Sequence, residues 1–172
     1  RGGHAARLTM ADDTGLLLDR AAQWQAAGHA LALATVIKTW GSAPRRVGSQ
    51  LLVRDDGLFE GSVSGGCVEG AVIEAALRRI PAGGGELLRF GVSSEQAWEV
   101  GLACGGEIEV LVQAVAPGGF DPGLFPAIRA ARSRGAAITL ATDLGTGQTR
   151  EGADGDFVQR IDPPLRLFLV GA

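Results

Sequence analysis

The chain has 172 residues, of which 46% are hydrophobic and 20% are charged, and its formal net charge is −3. The apolar content excludes a disordered chain, and the length suits one medium domain or one domain with part of a second. The negative net charge argues against nucleic-acid binding. The longest apolar run, 30–37, is too short for a membrane span, and residues 1–10 contain no apolar signal-peptide core. We therefore expect a soluble, cytoplasmic protein that contacts no membrane.

The first part of the chain predicts a helix followed by a strand. Asp12 or Asp13 can cap a helix that ends near Ala27, and Gly28 then takes the left-handed position that follows a helix. The apolar residues of 30–39 predict a mostly buried strand.

A hairpin and a second helix come next. Two predicted strands, 49–54 and 58–63, flank the turn sequence 55–57. Apolar residues spaced four apart predict a helix over 67–80, and Pro81 with the three glycines behind it is expected to end that helix.

The second half of the chain predicts further strands and helices. The predicted strands are 86–90, 107–115, 136–142 and 157–161, and the predicted helices are 93–100 and 121–135. Strands and helices alternate irregularly, and a hairpin precedes the first long core helix. We therefore expect a fold of the broad α/β class, more closely an α+β fold, with a mixed sheet flanked by helices.

The two ends of the chain are expected to lie outside this domain. Residues 1–9 precede the only methionine and resemble vector or upstream sequence, so the domain is expected to span 10–162. After a proline pair, residues 166–170 have a buried-strand pattern that leads into Gly171 and Ala172, a start typical of a dinucleotide-binding β–α unit. The alternative is a terminal strand that ends in two small residues.

The strongest local motif lies where the second hairpin strand gives way to a helix. The segment 61–70 contains Ser64, Gly65, Gly66, Cys67 and Glu69. Glycines free backbone N–H groups to bind an anion, and a helix N-terminus favours the thiolate form of a cysteine. The alternative is that Cys67 is a small core residue and that the glycines permit tight packing. Glu69 is a weaker candidate for an acid or base, because a carboxylate at this position usually interacts with the helix dipole.

Two further motifs lie at junctions of the same kind. Cys104, Gly105 and Gly106 mirror the first motif, and a pair of thiols could ligate a soft metal, transfer sulfur or form a disulfide. The alternative is two unrelated buried cysteines. The loop after the first strand contains an aromatic ring, a hydroxyl and a guanidinium that suit a flat anionic ligand. For an arginine pair considered alone, however, a solvated loop is the favoured explanation. Its candidate residues are Trp40, Gly41, Ser42, Pro44 and Arg45.

Taken in order, the motifs in 35–45, 61–69 and 91–106 resemble the XdhC/CoxI family of accessory proteins for molybdenum hydroxylases. The resemblance covers roughly 15–115. It implies a maturation protein that binds the molybdenum cofactor (molybdopterin) transiently, favours its sulfurated form and helps to insert it into an apo-enzyme such as xanthine dehydrogenase or carbon monoxide dehydrogenase. It also implies a homodimer, with a cysteine desulfurase as a further candidate partner. Because the family usually continues into a Rossmann-like domain, residues 163–172 are expected to be a linker and the first strand of such a domain.

The resemblance also gives the motif residues a common site. We expect the three motifs to contribute cofactor-binding residues, with Cys67 and Cys104 as candidate ligands of the metal. The full set is Trp40, Gly41, Ser42, Pro44, Arg45, Ser64, Gly65, Gly66, Cys67, Glu69, Cys104, Gly105 and Gly106. We expect a cofactor-binding chaperone rather than an enzyme. The alternatives are a small cysteine-dependent sulfur-transfer or redox enzyme and a plain interaction domain.

Overall fold

The strands form antiparallel sheets in this computed structural model, which describes residues 6–9, 13–41, 43, 45–91, 106–164 and 166–169. The helices in these residues are α1 (Asp13–Ala26), α2 (Glu69–Ala82) and α3 (Leu124–Ser133). The strands are β1 (Ala6–Thr9), β2 (Leu31–Trp40), β3 (Gln50–Arg54), β4 (Phe59–Gly61), β5 (Gly85–Phe90), β6 (Glu107–Ala114), β7 (Ile138–Asp143), β8 (Gln148–Glu151), β9 (Phe157–Ile161) and β10 (Arg166–Leu169). A five-stranded sheet has the order β4-β3-β2-β6-β5, a three-stranded sheet has the order β8-β7-β9, and β1 pairs with β10.

The five-stranded sheet is covered on one face by α2. Small and β-branched side chains of the central strands, including Ala34, Val36 and Val112, pack against Val72 and Ala76 of this helix. All five are fully buried. Small residues on both surfaces allow the helix to lie close to the sheet.

The opposite face of the same sheet packs against α1, α3 and the three-stranded sheet. Leu33 and Leu52 of the sheet join Trp24 of α1, Phe125 of α3 and Leu140 of β7 in one apolar cluster. The central strands are therefore buried on both faces, which explains the almost continuous apolar sequence of β2.

A buried polar contact joins the two sheets. The side-chain amide of Gln113 on β6 donates to the carbonyl of Gly147, at 2.7 Å, and to the hydroxyl of Thr149 on β8, at 2.8 Å. Thr149 in turn shares a hydrogen bond with Thr142 on β7. Gln113 lies on a strand whose pattern alone indicated one apolar face, and its burial is explained by these partners.

The α+β fold class and most predicted elements are confirmed. The expected mixed sheet is wrong, because every strand pair in the sheets of the described residues is antiparallel. Gly28 has a φ of 85°, as expected behind the first helix. Pro81 was expected to end α2, but it lies inside the last turn of that helix, and Gly83 follows the end. The chain can tolerate a proline there because its missing N–H affects only the last turn.

Other elements differ from the expectation or lie outside the described residues. The short strand β8 was not predicted. Only one of its four residues, Thr149, is buried, so its sequence shows no apolar pattern. Residues 6–9 form β1 and pair with β10, and both segments were expected to lie outside the domain 10–162, whose limits stay a prediction. The predicted helix over 93–100 falls outside the described residues. Among the described helices, none has the length and apolarity needed to cross a membrane.

Candidate functional site

The three sequence motifs are carried by connections that leave the same edge of the five-stranded sheet. The antiparallel register pairs Trp40, at the end of β2, with Glu107, at the start of β6. The ends of β4 and β5 lie at this edge too, because Gly61 pairs with Leu51 and Phe90 pairs with Ile108. The β2–β3 loop and the β5–β6 connection therefore start close together, whereas the β4–α2 loop starts level with Ala34, six residues before Trp40 on β2.

Some of the predicted site residues lie outside the described residues. They are Ser42, Pro44, Cys104 and Gly105. Gly106, two positions after Cys104, is buried immediately before β6. The expectation that the two thiols share one site therefore stays a prediction.

The β4–α2 loop closes around the carboxylate of Glu69, the first residue of α2. Only 8% of this residue is exposed. Its carboxylate accepts hydrogen bonds from the hydroxyl of Ser62, at 2.7 Å, and from the hydroxyl of Ser64. Four backbone N–H groups also donate to it, those of Val63, Ser64, Gly65 and Gly66, at 3.2, 2.9, 3.1 and 2.8 Å.

These hydrogen bonds decide the charge of Glu69. Burial alone would raise the pKa of this carboxyl group, but the hydrogen bonds donated by Ser64 and Ser62 outweigh it and lower the pKa to about 2. The carboxylate is therefore ionised at any physiological pH. A group that stays ionised in this way is unsuited to the acid–base role considered for it from the sequence.

The glycines of this loop adopt the conformation that the sequence predicted. Gly65 and Gly66 have φ values of 77° and 117°, in the left-handed region that favours glycine. Their N–H groups converge on an anion, as expected of such a loop. The anion, however, is the side chain of Glu69, whereas the sequence led us to expect a bound ligand.

Cys67 is exposed, like the two glycines before it. Its thiol is free, and it lies between Gly66 and the fully buried Val68. The alternative that Cys67 is a core residue is therefore wrong. No group of three or more side chains of the metal-ligating types occurs among the described residues.

Arg45 connects the β2–β3 loop to the β4–α2 loop. Its guanidinium donates to the carbonyl of Ser62, at 3.2 Å, and to the carboxylate of Asp13 on α1, at 2.9 Å. The neighbouring Arg46 is exposed, and its side chain has no hydrogen-bond or ion-pair partner among the described residues. The sequence drew attention to Arg45 but gave no signal that Ser62 and Asp13 would hold it.

Trp40 lies at the same edge but on the other face of the sheet. Ile108 belongs to the cluster under α2, so its neighbour Glu107 points away from that helix. Trp40 pairs with Glu107 and therefore lies on the side away from α2, where 69% of it is exposed. Val63 and Val68 of the β4–α2 loop belong to the cluster under α2. The sheet thus separates Trp40 from that loop.

The comparisons with known proteins agree with the motifs. A sequence model of the XdhC and CoxI family matches residues 24–91. This segment contains β2, the β2–β3 loop and the whole β4–α2 loop. The resemblance seen in the sequence is thereby confirmed over this segment, which is similar to the XdhC and CoxI family.

Individual relatives are similar over parts of their length. The molybdenum cofactor insertion chaperone PaoD of Escherichia coli is 36% identical over 99 residues, which cover 58% of this chain and 31% of the relative. A probable xanthine dehydrogenase subunit of Bacillus subtilis is 27% identical over an alignment 177 residues long, which covers 81% of this chain and 52% of the relative. The chain thus spans about a third to a half of the length of these two proteins.

A solved structure has the same fold. The crystal structure of a xanthine dehydrogenase from Bacillus halodurans superposes with a TM-score of 0.70 at 22% sequence identity. The superposition covers 89% of this chain and 53% of that one.

Proposed function

We propose that this protein binds the molybdenum cofactor and assists its insertion into a molybdenum hydroxylase such as xanthine dehydrogenase or carbon monoxide dehydrogenase. The observation that carries the proposal is the exposed thiol of Cys67 at the same sheet edge as two arginines. The family match covers this edge, and the name of the Escherichia coli relative describes the insertion of this cofactor.

The described residues fit the chemical parts of this cofactor. An exposed thiol is a suitable ligand for a soft metal centre and a suitable carrier of sulfur. The side chain of Arg46 has no partner in the described part of the chain and can pair with a phosphate, and Arg45 lies next to it. The cofactor, when bound, supplies a metal with a terminal sulfur, and the residues of this chain bind and orient it.

Other predicted contacts are revised or stay open. The backbone N–H groups of the glycine loop already bind Glu69, so in our proposal they do not bind the phosphate. Trp40 would stack only on a ligand that reaches the other face of the sheet. A second ligand from Cys104, a homodimer and a cysteine desulfurase as sulfur source stay predictions of the resemblance.

The alternative is a small cysteine-dependent sulfur-transfer or redox enzyme. The same exposed, free thiol favours it, because accessibility is what a nucleophilic cysteine needs. The two functions differ in whether a pterin is bound.

The two functions are distinguished by purifying the protein from cells that make the molybdenum cofactor. Acid oxidation converts a bound pterin into a fluorescent product, which we expect in stoichiometric amount from the wild-type protein. Cys67→Ala and Cys104→Ala are expected to lower the amount and the delivery of active cofactor to an apo-hydroxylase, and Glu74→Gln on the exposed side of α2 is the control. Turnover of a persulfide donor without any pterin would instead establish the enzyme. Full pterin retention and delivery by the double cysteine variant would overturn the role of the thiols.

A further inference from the structure

Glu69 is the one carboxylate that is buried among the described residues. Both of its oxygens accept hydrogen bonds, and its donors come from four consecutive backbone N–H groups and two hydroxyls of the preceding loop. Taking an ionised carboxylate out of water is expensive unless its hydrogen bonds are replaced in this way. The loop therefore keeps this shape only with the anion present.

The same hydroxyls extend the network through the rest of the loop. Ser62 accepts a hydrogen bond from the N–H of Gly65, at 2.9 Å, and Ser64 accepts one from the N–H of Val68, at 3.0 Å. Within 62–69, all of which the structure describes, Cys67 alone contributes no atom to these bonds. The network fixes the backbone on both sides of Cys67 and leaves its side chain exposed.

We infer that Glu69 is a positioning residue for the thiol of Cys67. It holds the β4–α2 loop in one conformation and so sets the direction in which the thiol projects, and it does not contact the cofactor itself. This inference rests on the proposed function, because it assigns Glu69 a part in how Cys67 meets a ligand.

A consequence is that the N–H groups of residues 63–66 are not available to the anionic group of a ligand. Glycine loops at helix N-termini commonly bind phosphate through the backbone N–H groups that Glu69 occupies here. A phosphate brought to this loop would be repelled by the buried carboxylate of Glu69.

The chemical requirement at this position is strict. Glutamine has the same shape, but one oxygen is replaced by an NH₂ group that would face N–H donors. Aspartate keeps the charge but is shorter by one methylene, so it can satisfy part of the network. We therefore expect the loop to be more ordered around Cys67 in Glu69→Asp than in Glu69→Gln.

The first test measures the order of the Cys67 side chain directly. A nitroxide label is attached to Cys67 in a Cys104→Ala background, and its electron paramagnetic resonance spectrum is recorded with Glu69 intact and in the variants Glu69→Gln and Glu69→Asp, after circular dichroism has shown that each is folded. We expect Glu69→Gln to shorten the rotational correlation time of the label at least twofold, Glu69→Asp to shorten it less, and Glu74→Gln to leave it unchanged. An unchanged spectrum in Glu69→Gln would overturn the inference. Should that variant not fold, Glu69→Asp and Ser64→Ala give the same comparison.

The second test asks whether Glu69 acts through Cys67 on cofactor binding. Isolated molybdenum cofactor is titrated onto the parent, Glu69→Gln, Cys67→Ala and the double variant. We expect Glu69→Gln to weaken binding about tenfold when Cys67 is present and less than twofold in the Cys67→Ala background. Equal losses in both backgrounds would show that Glu69 does not act through the thiol and would overturn the inference.

The two tests also separate this inference from the proposed function. If neither Cys67→Ala nor Glu69→Gln changes cofactor binding while Glu69→Gln still mobilises the label, the proposed role of the thiol fails and the positioning of Cys67 by Glu69 stands.

Discussion

The β4–α2 loop and the β2–β3 loop leave the same sheet edge, yet they are built in opposite ways. The β4–α2 loop closes around its own anion, Glu69, and its backbone donors are used internally. The β2–β3 loop begins after an exposed tryptophan and carries a cation, the Arg46 side chain, with no partner in the described part of the chain. The β4–α2 loop therefore has a backbone fixed by its own hydrogen bonds, whereas the β2–β3 loop has exposed side chains that a ligand could contact. Arg45 joins the two.

This difference teaches that a sequence motif rich in glycine does not by itself identify an anion site. Backbone N–H groups that converge on one point need an anionic acceptor there. In this chain the acceptor is the carboxylate of Glu69, four residues after Gly65. In our proposal the exposed side chains, and not the N–H groups bound to Glu69, contact the ligand.

The largest expected effect is on the closed loop. Glu69→Gln should lower the free energy of unfolding by about 3 kcal/mol, because it removes the buried charge and places an NH₂ group against the donors of one carboxylate oxygen, among them the N–H of Gly66. Urea denaturation followed by circular dichroism measures it. The control is Glu74→Gln, the same change on an exposed residue of the same helix, which should stay within about 0.5 kcal/mol. Equal stability of the two variants would contradict the distinction between the loops.

The second effect is a dependence of stability on acid pH. The pKa of Glu69 is lower in the folded protein, at about 2, than its ordinary value of 4.5, so its ionised form stabilises the fold at neutral pH. That stabilisation falls as the pH drops below the ordinary value toward the folded one. Between pH 5 and pH 3 we expect a loss of about 2 kcal/mol from this group. Glu69→Gln should lack this component, and denaturation curves of the two proteins at both pH values reveal the difference.

A smaller effect is expected where the two loops are joined. Arg45→Ala removes a hydrogen bond to the Ser62 carbonyl and a largely exposed ion pair with Asp13, which together contribute about 1 kcal/mol. Arg46→Ala is the matched control and should leave stability unchanged within about 0.5 kcal/mol. Thermal unfolding of both variants provides the measurement. A larger cost for Arg46 than for Arg45 would reverse the roles assigned to these neighbours.

The smallest effect on stability is expected at Trp40. Because 69% of this residue is exposed, Trp40→Ala should change the free energy of unfolding by no more than about 0.5 kcal/mol. The same denaturation experiment tests it. A loss above about 1 kcal/mol would mean that the indole is part of the packed structure and not a surface group.

Local patterns predicted much of this fold from the sequence. The helix before Gly28 and the hairpin around 55–57 depend on short-range signals, and both are present. The short strand β8 was missed because its stability comes from pairing with β7 and not from its own four residues.

The chemistry of the site was less accessible to sequence reasoning. The glycine conformations at 65 and 66 were expected, but the identity of the anion was not, because Glu69 resembles an ordinary first-turn acidic residue. Its burial depends on how the loop folds back, which no local pattern reveals. The face on which Trp40 lies depends on the register between β2 and β6, another long-range property.

The close contact between Gly85 and Gly147 limits which residues can replace these two glycines. A methyl group added to Gly85 would lie 2.8 Å from the Cα of Gly147, and one added to Gly147 would lie 2.5 Å from the Cα of Gly85. The main chains of β5 and of the β7–β8 turn touch at this point, directly beside the carbonyl that Gln113 binds. Any side chain here would push the two sheets apart and break that bond. The two sheets can approach this closely because both residues lack a Cβ atom. Even alanine at either position would require the sheets to shift apart.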